Sequence, residues 1–256
     1  MTAPRDTDAR MLAALKAHGF GAMSFSALEP GMRHWFSEAD PGAAVAYVDT
    51  GSAWVAAGGP IADSTTASRV GREFVAAARR QGRRACFFAV ERASLEGFSY
   101  VLLGEQPIWT PSAWPDTLAR HRRLREQVRR GAGKRVRVRR VTAGDLAPGT
   151  PLRKRCDAVA GAWLASRHMA PMTFVVALEP FVCPEEHRYF VAERDGDIVA
   201  FLSAVPIYAK QGWLVEDLLR VRGAPNGTVE ALIDALMREV ADSAVVTLGL
   251  APLAGP

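Results

Sequence analysis

Trp213-Leu-Val-Glu-Asp-Leu-Leu-Arg-Val-Arg-Gly-Ala-Pro-Asn-Gly-Thr228 passes from an apolar stretch holding two adjacent acids, through a Gly/Pro/Asn turn, to a helix-capping Asn-Gly-Thr. It reads as strand, tight loop and helix start. Downstream, Val229, Leu232, Ile233, Leu236, Met237 and Val240 recur at i, i+3, i+4, i+7, i+8 and i+11, one face of a helix over 228–240. Upstream, the strand-like runs 189–193 and 198–202 flank Arg194-Asp-Gly-Asp197, whose Asp-Gly pair favours the positive φ angles of a tight hairpin. Val245 to Leu250 returns to strand. The order is hairpin, strand, helix, strand.

The first half reads alike. Residues 44–48 and 53–57 flank a Thr50-Gly-Ser52 turn, a helix is predicted near 70–80, and 85–90 is again strand. The fold class predicted is α/β (α+β): two tandem units of mixed sheet flanked by helices, the second ending short of completion at Pro256. The domain division follows as 1–110, a basic connector helix and strand over 111–140, and a second unit over 141–256 that carries the site. With 256 residues, 49% of them hydrophobic, the chain can bury a large core. No run approaches the roughly 18 apolar residues of a membrane span, and Asp6 and Asp8 stand where a signal peptide would be basic and then apolar. A cytoplasmic protein, peripheral at most to a membrane, is expected. Cys86, Cys156 and Cys183 lack metal spacing and read as buried free thiols, and the five His form no HxxxH or CxxC cluster, so no metal site is expected.

Charge is concentrated. Arg120 to Arg140 holds eleven Lys or Arg and one acid, Glu126, a formal +10; the whole chain is +5, so the other 235 residues sum to −5. Such an arm attracts polyanions, because each phosphate neutralised releases condensed counterions; its alternative is a solvated connector. A helix from about Asp116 to Arg130 stopped by Gly131-Ala-Gly133, then an alternating Arg135-Val-Arg-Val-Arg139 strand, would set Arg135, Arg137 and Arg139 on one face.

Chemistry is sought in the quoted stretch. Strand alternation predicts Val215, Asp217 and Leu219 on one face and Glu216, Leu218 and Arg220 on the other. A carboxylate facing packed material is costly unless it is paired or hydrogen-bonded, so Asp217 or Glu216 is a candidate base or anchor for a substrate amine; a salt bridge from Glu216 to Arg220 or Arg222 is the alternative. Asn226, Gly227 and Thr228 can cap the helix and leave its positive end as an anion site. His168, beside Arg167, is more often a surface or capping residue in such a setting, and Met169 and Met172 read as core filler.

Strand, Arg220-Val-Arg-Gly223-Ala-Pro225 and helix resemble the pyrophosphate loop of the acetyltransferase fold known as GNAT, except that Pro225 has no N–H where that family places Gly or Ala. A sharper resemblance is to the soluble catalytic domain of the lysylphosphatidylglycerol synthases, a tandem GNAT fold. It is carried by Pro171-Met-Thr-Phe174, Val191-Ala-Glu-Arg-Asp-Gly196, Asp217-Leu-Leu-Arg220, Asn226-Gly-Thr228 and Leu248-Gly-Leu-Ala-Pro-Leu253, and more weakly by Gly58-Gly-Pro60, Glu73-Phe74 and Trp114 onward. The resemblance implies a transferase moving an aminoacyl group from aminoacyl-tRNA to a lipid or other hydroxyl acceptor, without a cofactor. Asp217, Glu216 and Arg220 would be catalytic, and Gly223, Asn226, Gly227 and Thr228 would bind substrate. Arg122, Arg123, Arg129, Arg130, Arg135 and Arg137 would bind tRNA. The partners expected are aminoacyl-tRNA and an anionic membrane surface or lipid acceptor, with no DNA. A coenzyme A thioester-dependent N-acyltransferase, or a non-catalytic RNA- or membrane-surface-binding relative, is the alternative.

Overall fold

The computed structural model describes residues 6–91, 95–166 and 178–252. It divides into two compact units, one of 1–107 with 207–212 and 249–256, the other of 108–206 with 213–248. Residues 111–140, expected as a connector, therefore lie inside the second unit.

The first unit opens with α1 (Asp6–His18) and a 3-10 turn (Ala22–Leu28). Strands β1 (Arg33–Phe36), β2 (Ala44–Asp49) and β3 (Ala53–Ala57) then form an antiparallel meander. Helix α2 (Ala67–Arg80) crosses over to β4 (Arg84–Phe88), which lies parallel to β3 at the sheet edge, and β5 (Gly104–Glu105) follows. Alternation in β2 sends Val45 and Tyr47 to the α2 side and Ala44 and Ala46 to the α1 side, so both faces are covered. Phe74 of α2 is fully buried, its ring 5.4 Å from Tyr47, 5.5 Å from Trp54 and 5.6 Å from Phe87. The inserted 3-10 turn Tyr208–Lys210 is fastened within this unit, where Lys210 Nζ donates to both Glu91 oxygens at 2.6 and 2.7 Å and lies over the Phe20 ring.

The second unit is built on a six-stranded sheet. Its elements are β6 (Ile108–Trp109), α3 (Trp114–Arg120), α4 (Arg122–Gly133), β7 (Arg137–Val141), α5 (Pro151–Ala165), β8 (Arg188–Arg194), β9 (Asp197–Ile207), β10 (Gly212–Arg220), α6 (Thr228–Glu239) and β11 (Val245–Thr247). The strand order is β6-β11-β10-β9-β8-β7. The last strand, β12 (Ala251–Pro252), belongs to the first unit and pairs with β5, so the sequence-predicted strand 245–250 stops at Thr247. The β8–β9 hairpin turns as the sequence predicts, Asp195 and Gly196 both taking positive φ (53° and 92°). Helix α6 covers one sheet face through Leu232, Leu236 and Met237 against Phe190, Leu202 and Val215; α5 covers the other through Cys156 and Val159 near Tyr189, Val191 and Phe201.

Three local predictions are corrected. The helix expected over 116–130 is two helices broken at His121 (φ −102°, ψ 83°), and Arg125 donates to Leu118 O and Ala119 O, satisfying the carbonyls that the break exposes. Arg135 is not in the strand; it takes φ +63°, and β7 begins only at Arg137. Cys86 is exposed on the edge strand β4, whereas Cys156 is buried and desolvation pushes its thiol up to about 11.

A close backbone approach fixes α4 against the start of α6. A Cβ on Gly227 (φ +95°) would stand 2.2 Å from Gln127 O and 2.7 Å from Gly131 N, and one on Gly131 would meet Gly227 O at 2.9 Å. Gly227→Ala is therefore expected to cost roughly 3 kcal/mol or more, from the left-handed φ and the clash together. Gly223→Ala, at a position where a Cβ meets nothing within 4 Å, should be near neutral. Urea unfolding of the two variants checks the contrast, and equal midpoints would show that α4 yields at little cost.

Candidate functional site

The site is built on β10. Strict alternation would put Glu216 and Asp217 on opposite faces, but the strand does not keep it. Trp213, Val215 and Leu218 pack on the α6-side cluster while Leu219 joins the α5-side cluster. Val215 and Leu218 are three apart, so the face assignment changes between them in mid-strand.

Both acids consequently meet the side-chain group around Tyr189. Asp217 is 7% exposed, and its Oδ2 accepts a 2.8 Å bond from Ser203 Oγ. Ser203 stands opposite Tyr189 in the β8–β9 register. Glu216 Oε2 lies 3.4 Å from Nε2 of buried His187, whose ring stacks on Tyr189 at 5.0 Å and 5°. The Tyr189 hydroxyl donates to Pro180 O at 2.7 Å. Burial first, and then the charges of Glu216 and Asp217, push the Tyr189 phenol far above its ordinary range, so it stays protonated. Two carboxylates beside a neutral phenol and a serine hydroxyl favour a cation. Glu216 pairs with His187, not with Arg220 or Arg222 as the salt-bridge alternative supposed.

The remaining sequence-predicted residues separate into two groups. Arg220, Gly223 and Asn226 are exposed around the β10–α6 loop. Gly227 and Thr228 are buried under α4; Thr228 donates to Pro225 O through both its N–H (3.2 Å) and its hydroxyl (2.7 Å). His168, Met169 and the stretch 171–174 lie outside the described residues.

The basic segment is partly self-neutralised. Arg122 pairs with Glu126, Arg135 with Asp195, Arg139 with Glu193 and Arg140 with Glu239. Arg123, Arg129, Arg130, Lys134 and Arg137 are exposed and have no acidic partner among the described residues. Among those residues no three His, Cys, Asp or Glu stand together as metal ligands, and no helix is long and apolar enough to cross a membrane. His187, Tyr189 and Ser203 were missed by sequence reasoning. His187 and Tyr189 share the period-two spacing of one strand face, but their meeting with Ser203 and the acids needs the sheet register.

Sheets of this connectivity, flanked by helices and with a strand–helix–strand segment in each unit (β3-α2-β4 and β10-α6-β11), define a mixed α/β fold, one shared with solved structures of lysylphosphatidylglycerol synthetase domains. The particular family is shown by the sequence: a family model described as phosphatidylglycerol lysyltransferase, C-terminal, matches residues 12–256, and the chain belongs to that family. Among solved structures, it is similar to the C-terminal domain of a putative lysylphosphatidylglycerol synthetase from Agrobacterium fabrum (22% identity, 98% of this chain and 80% of that one, TM-score 0.83). It is also similar to L-PGS from Bacillus licheniformis (21% identity, 98% and 78%, TM-score 0.82). A more distant likeness is to FemX (10% identity, 100% and 89%, TM-score 0.55). No curated protein matches the sequence. Family membership places the chain, at a coarse level, with aminoacyl-transfer proteins.

Proposed function

We propose that this chain is an aminoacyl-tRNA-dependent transferase that moves an aminoacyl group to a hydroxyl of a lipid or other acceptor. The observation that carries the reading is the Glu216–Asp217 pair turned to one side of the sheet, an arrangement fit to hold the ammonium group of an aminoacyl ester. The acceptor oxygen attacks the ester carbonyl carbon, the bond to the tRNA ribose oxygen breaks, and the acceptor's proton ends on that oxygen. The ester supplies the driving force, so positioning and charge stabilisation suffice. Arg220 and Asn226, exposed at the end of β10 and in the loop, are assigned to the terminal phosphate or the developing oxyanion. Gly227 and Thr228 shape the loop from beneath. Arg123, Arg129, Arg130 and Arg137 hold the tRNA backbone, while Arg122 and Arg135 already have acidic partners. The test is transfer from charged tRNA to phosphatidylglycerol vesicles or a soluble hydroxyl acceptor, and no product with any charged tRNA would refute the reading.

Coenzyme A fits these residues poorly. Its pyrophosphate would need free N–H groups at the start of α6, where Pro225 has none, the Thr228 N–H is used by Pro225 O, and the α4 backbone stands against Gly227. An unmatched phosphate oxygen forfeits roughly 1 to 3 kcal/mol. Titration calorimetry is expected to detect charged tRNA and no acetyl-coenzyme A. Micromolar coenzyme A binding without tRNA binding would favour the N-acyltransferase instead.

A further inference from the structure

We propose that His187 is a positioning residue that holds the Glu216 carboxylate in the pose that meets the substrate ammonium. The inference rests on the aminoacyl-transfer reading above. The His187 side chain is 1% exposed, so substrate does not reach it; the Glu216 side chain is 21% exposed. The carboxylate is thus backed by a buried ring on one side and open on the other. The ring is fixed in three ways. It stacks on Tyr189, its Nδ1 lies 3.2 Å from Cys183 O, and its Nε2 lies 3.4 Å from Glu216 Oε2. With Nδ1 turned to the Cys183 carbonyl, Nε2 is the ring atom that faces Glu216, at ion-pair distance. Cys183 itself takes φ +46°, a conformation that a residue with a Cβ seldom adopts, so the carbonyl is aimed at the ring at some backbone cost. The charged and titratable groups acting on the Tyr189 ring beneath are Glu216, Asp217, Arg153 and Cys183.

The two ring nitrogens can be tested apart, because an Asn amide reaches about where Nδ1 lies and a Gln amide about where Nε2 lies. His187→Asn keeps the Cys183 bond and abandons Glu216; His187→Gln does the reverse. With the full chain and charged tRNA, His187→Asn is expected to raise KM about tenfold with kcat little changed, and His187→Gln to stay near wild type, since the polar contact with the charged Glu216 is lost only in the first. The reverse order would make His187 a loop anchor and overturn the proposal. A second measurement needs neither variant to fold nor transfer to occur. The Nε2 resonance of His187, followed by 15N NMR at one fixed pH, should move in Glu216→Gln relative to wild type, because the carboxylate 3.4 Å from that nitrogen is gone. An unmoved resonance overturns the proposal whatever the kinetics. A chain that shows the shift yet transfers nothing overturns the aminoacyl reading, and with it the role of Glu216, and is distinguishable from a missing His–Glu contact.

Discussion

Replacing Arg123, Arg129, Arg130 and Arg137 together by Gln is expected to weaken tRNA binding roughly a thousandfold at about 0.1 M salt and to flatten the slope of log affinity against log salt by about 3. The cause is counterion release. Each of these guanidinium groups is exposed and unpaired by acids among the described residues, so each is available to neutralise one phosphate. Replacing Arg122 and Arg135 should do much less, because they already stand against Glu126 and Asp195 at 2.7 and 3.0 Å. Filter binding or fluorescence anisotropy across a salt series decides it. An unchanged slope in the fourfold variant would remove RNA from this surface.

Asp217→Asn is the second large effect, a fall in transfer kcat/KM of roughly 10- to 100-fold with little loss of stability. The amide oxygen still accepts the Ser203 hydroxyl, so the buried bond at 2.8 Å persists and the fold is spared. What disappears is the charge offered to an ammonium, a hydrogen bond of the charged kind that contributes roughly 1.5 to 3 kcal/mol. Denaturation midpoints measured beside transfer rates separate the effects. A variant that unfolds readily yet transfers as well as wild type would make Asp217 a structural residue.

Much of this molecule was legible from periodicity. The Asp195-Gly196 hairpin, the apolar face of α6, and the order β2, β3, α2, β4 follow from local spacing and turn chemistry, because each is decided within about a dozen residues. Helix α5 was missed, although Thr150 caps it by accepting from the Arg153 N–H and Pro151 opens it, since its apolar residues are interrupted by Lys154, Arg155 and Asp157. The site was half legible. Two adjacent acids on an apolar strand drew notice, but a one-residue irregularity in β10 reverses the facing of everything beyond it, and nothing in Val215 to Leu218 announces that slip. Of the partners, Tyr189 and Ser203 come from β8 and β9 and His187 from the residue just before β8, and their convergence is a property of register. The Arg ladder over 135–139 is shortened to Arg137 and Arg139 for a related reason, because a left-handed residue at 135 starts the strand two positions late.

The glycine-to-glycine approach of α4 and α6 also bears on how such a chain can change its donor over evolutionary time. A loop that lacks one N–H is repaired by one codon, Pro225 to Gly or Ala. Here that repair would leave Gln127 O and Gly131 N where they are, over the turn at Gly227. Adopting a nucleotide cofactor would require displacing a whole helix, and that helix carries arginines proposed above to hold tRNA. The two specificities are thus separated by a rearrangement of the backbone, one that no short path of point substitutions crosses.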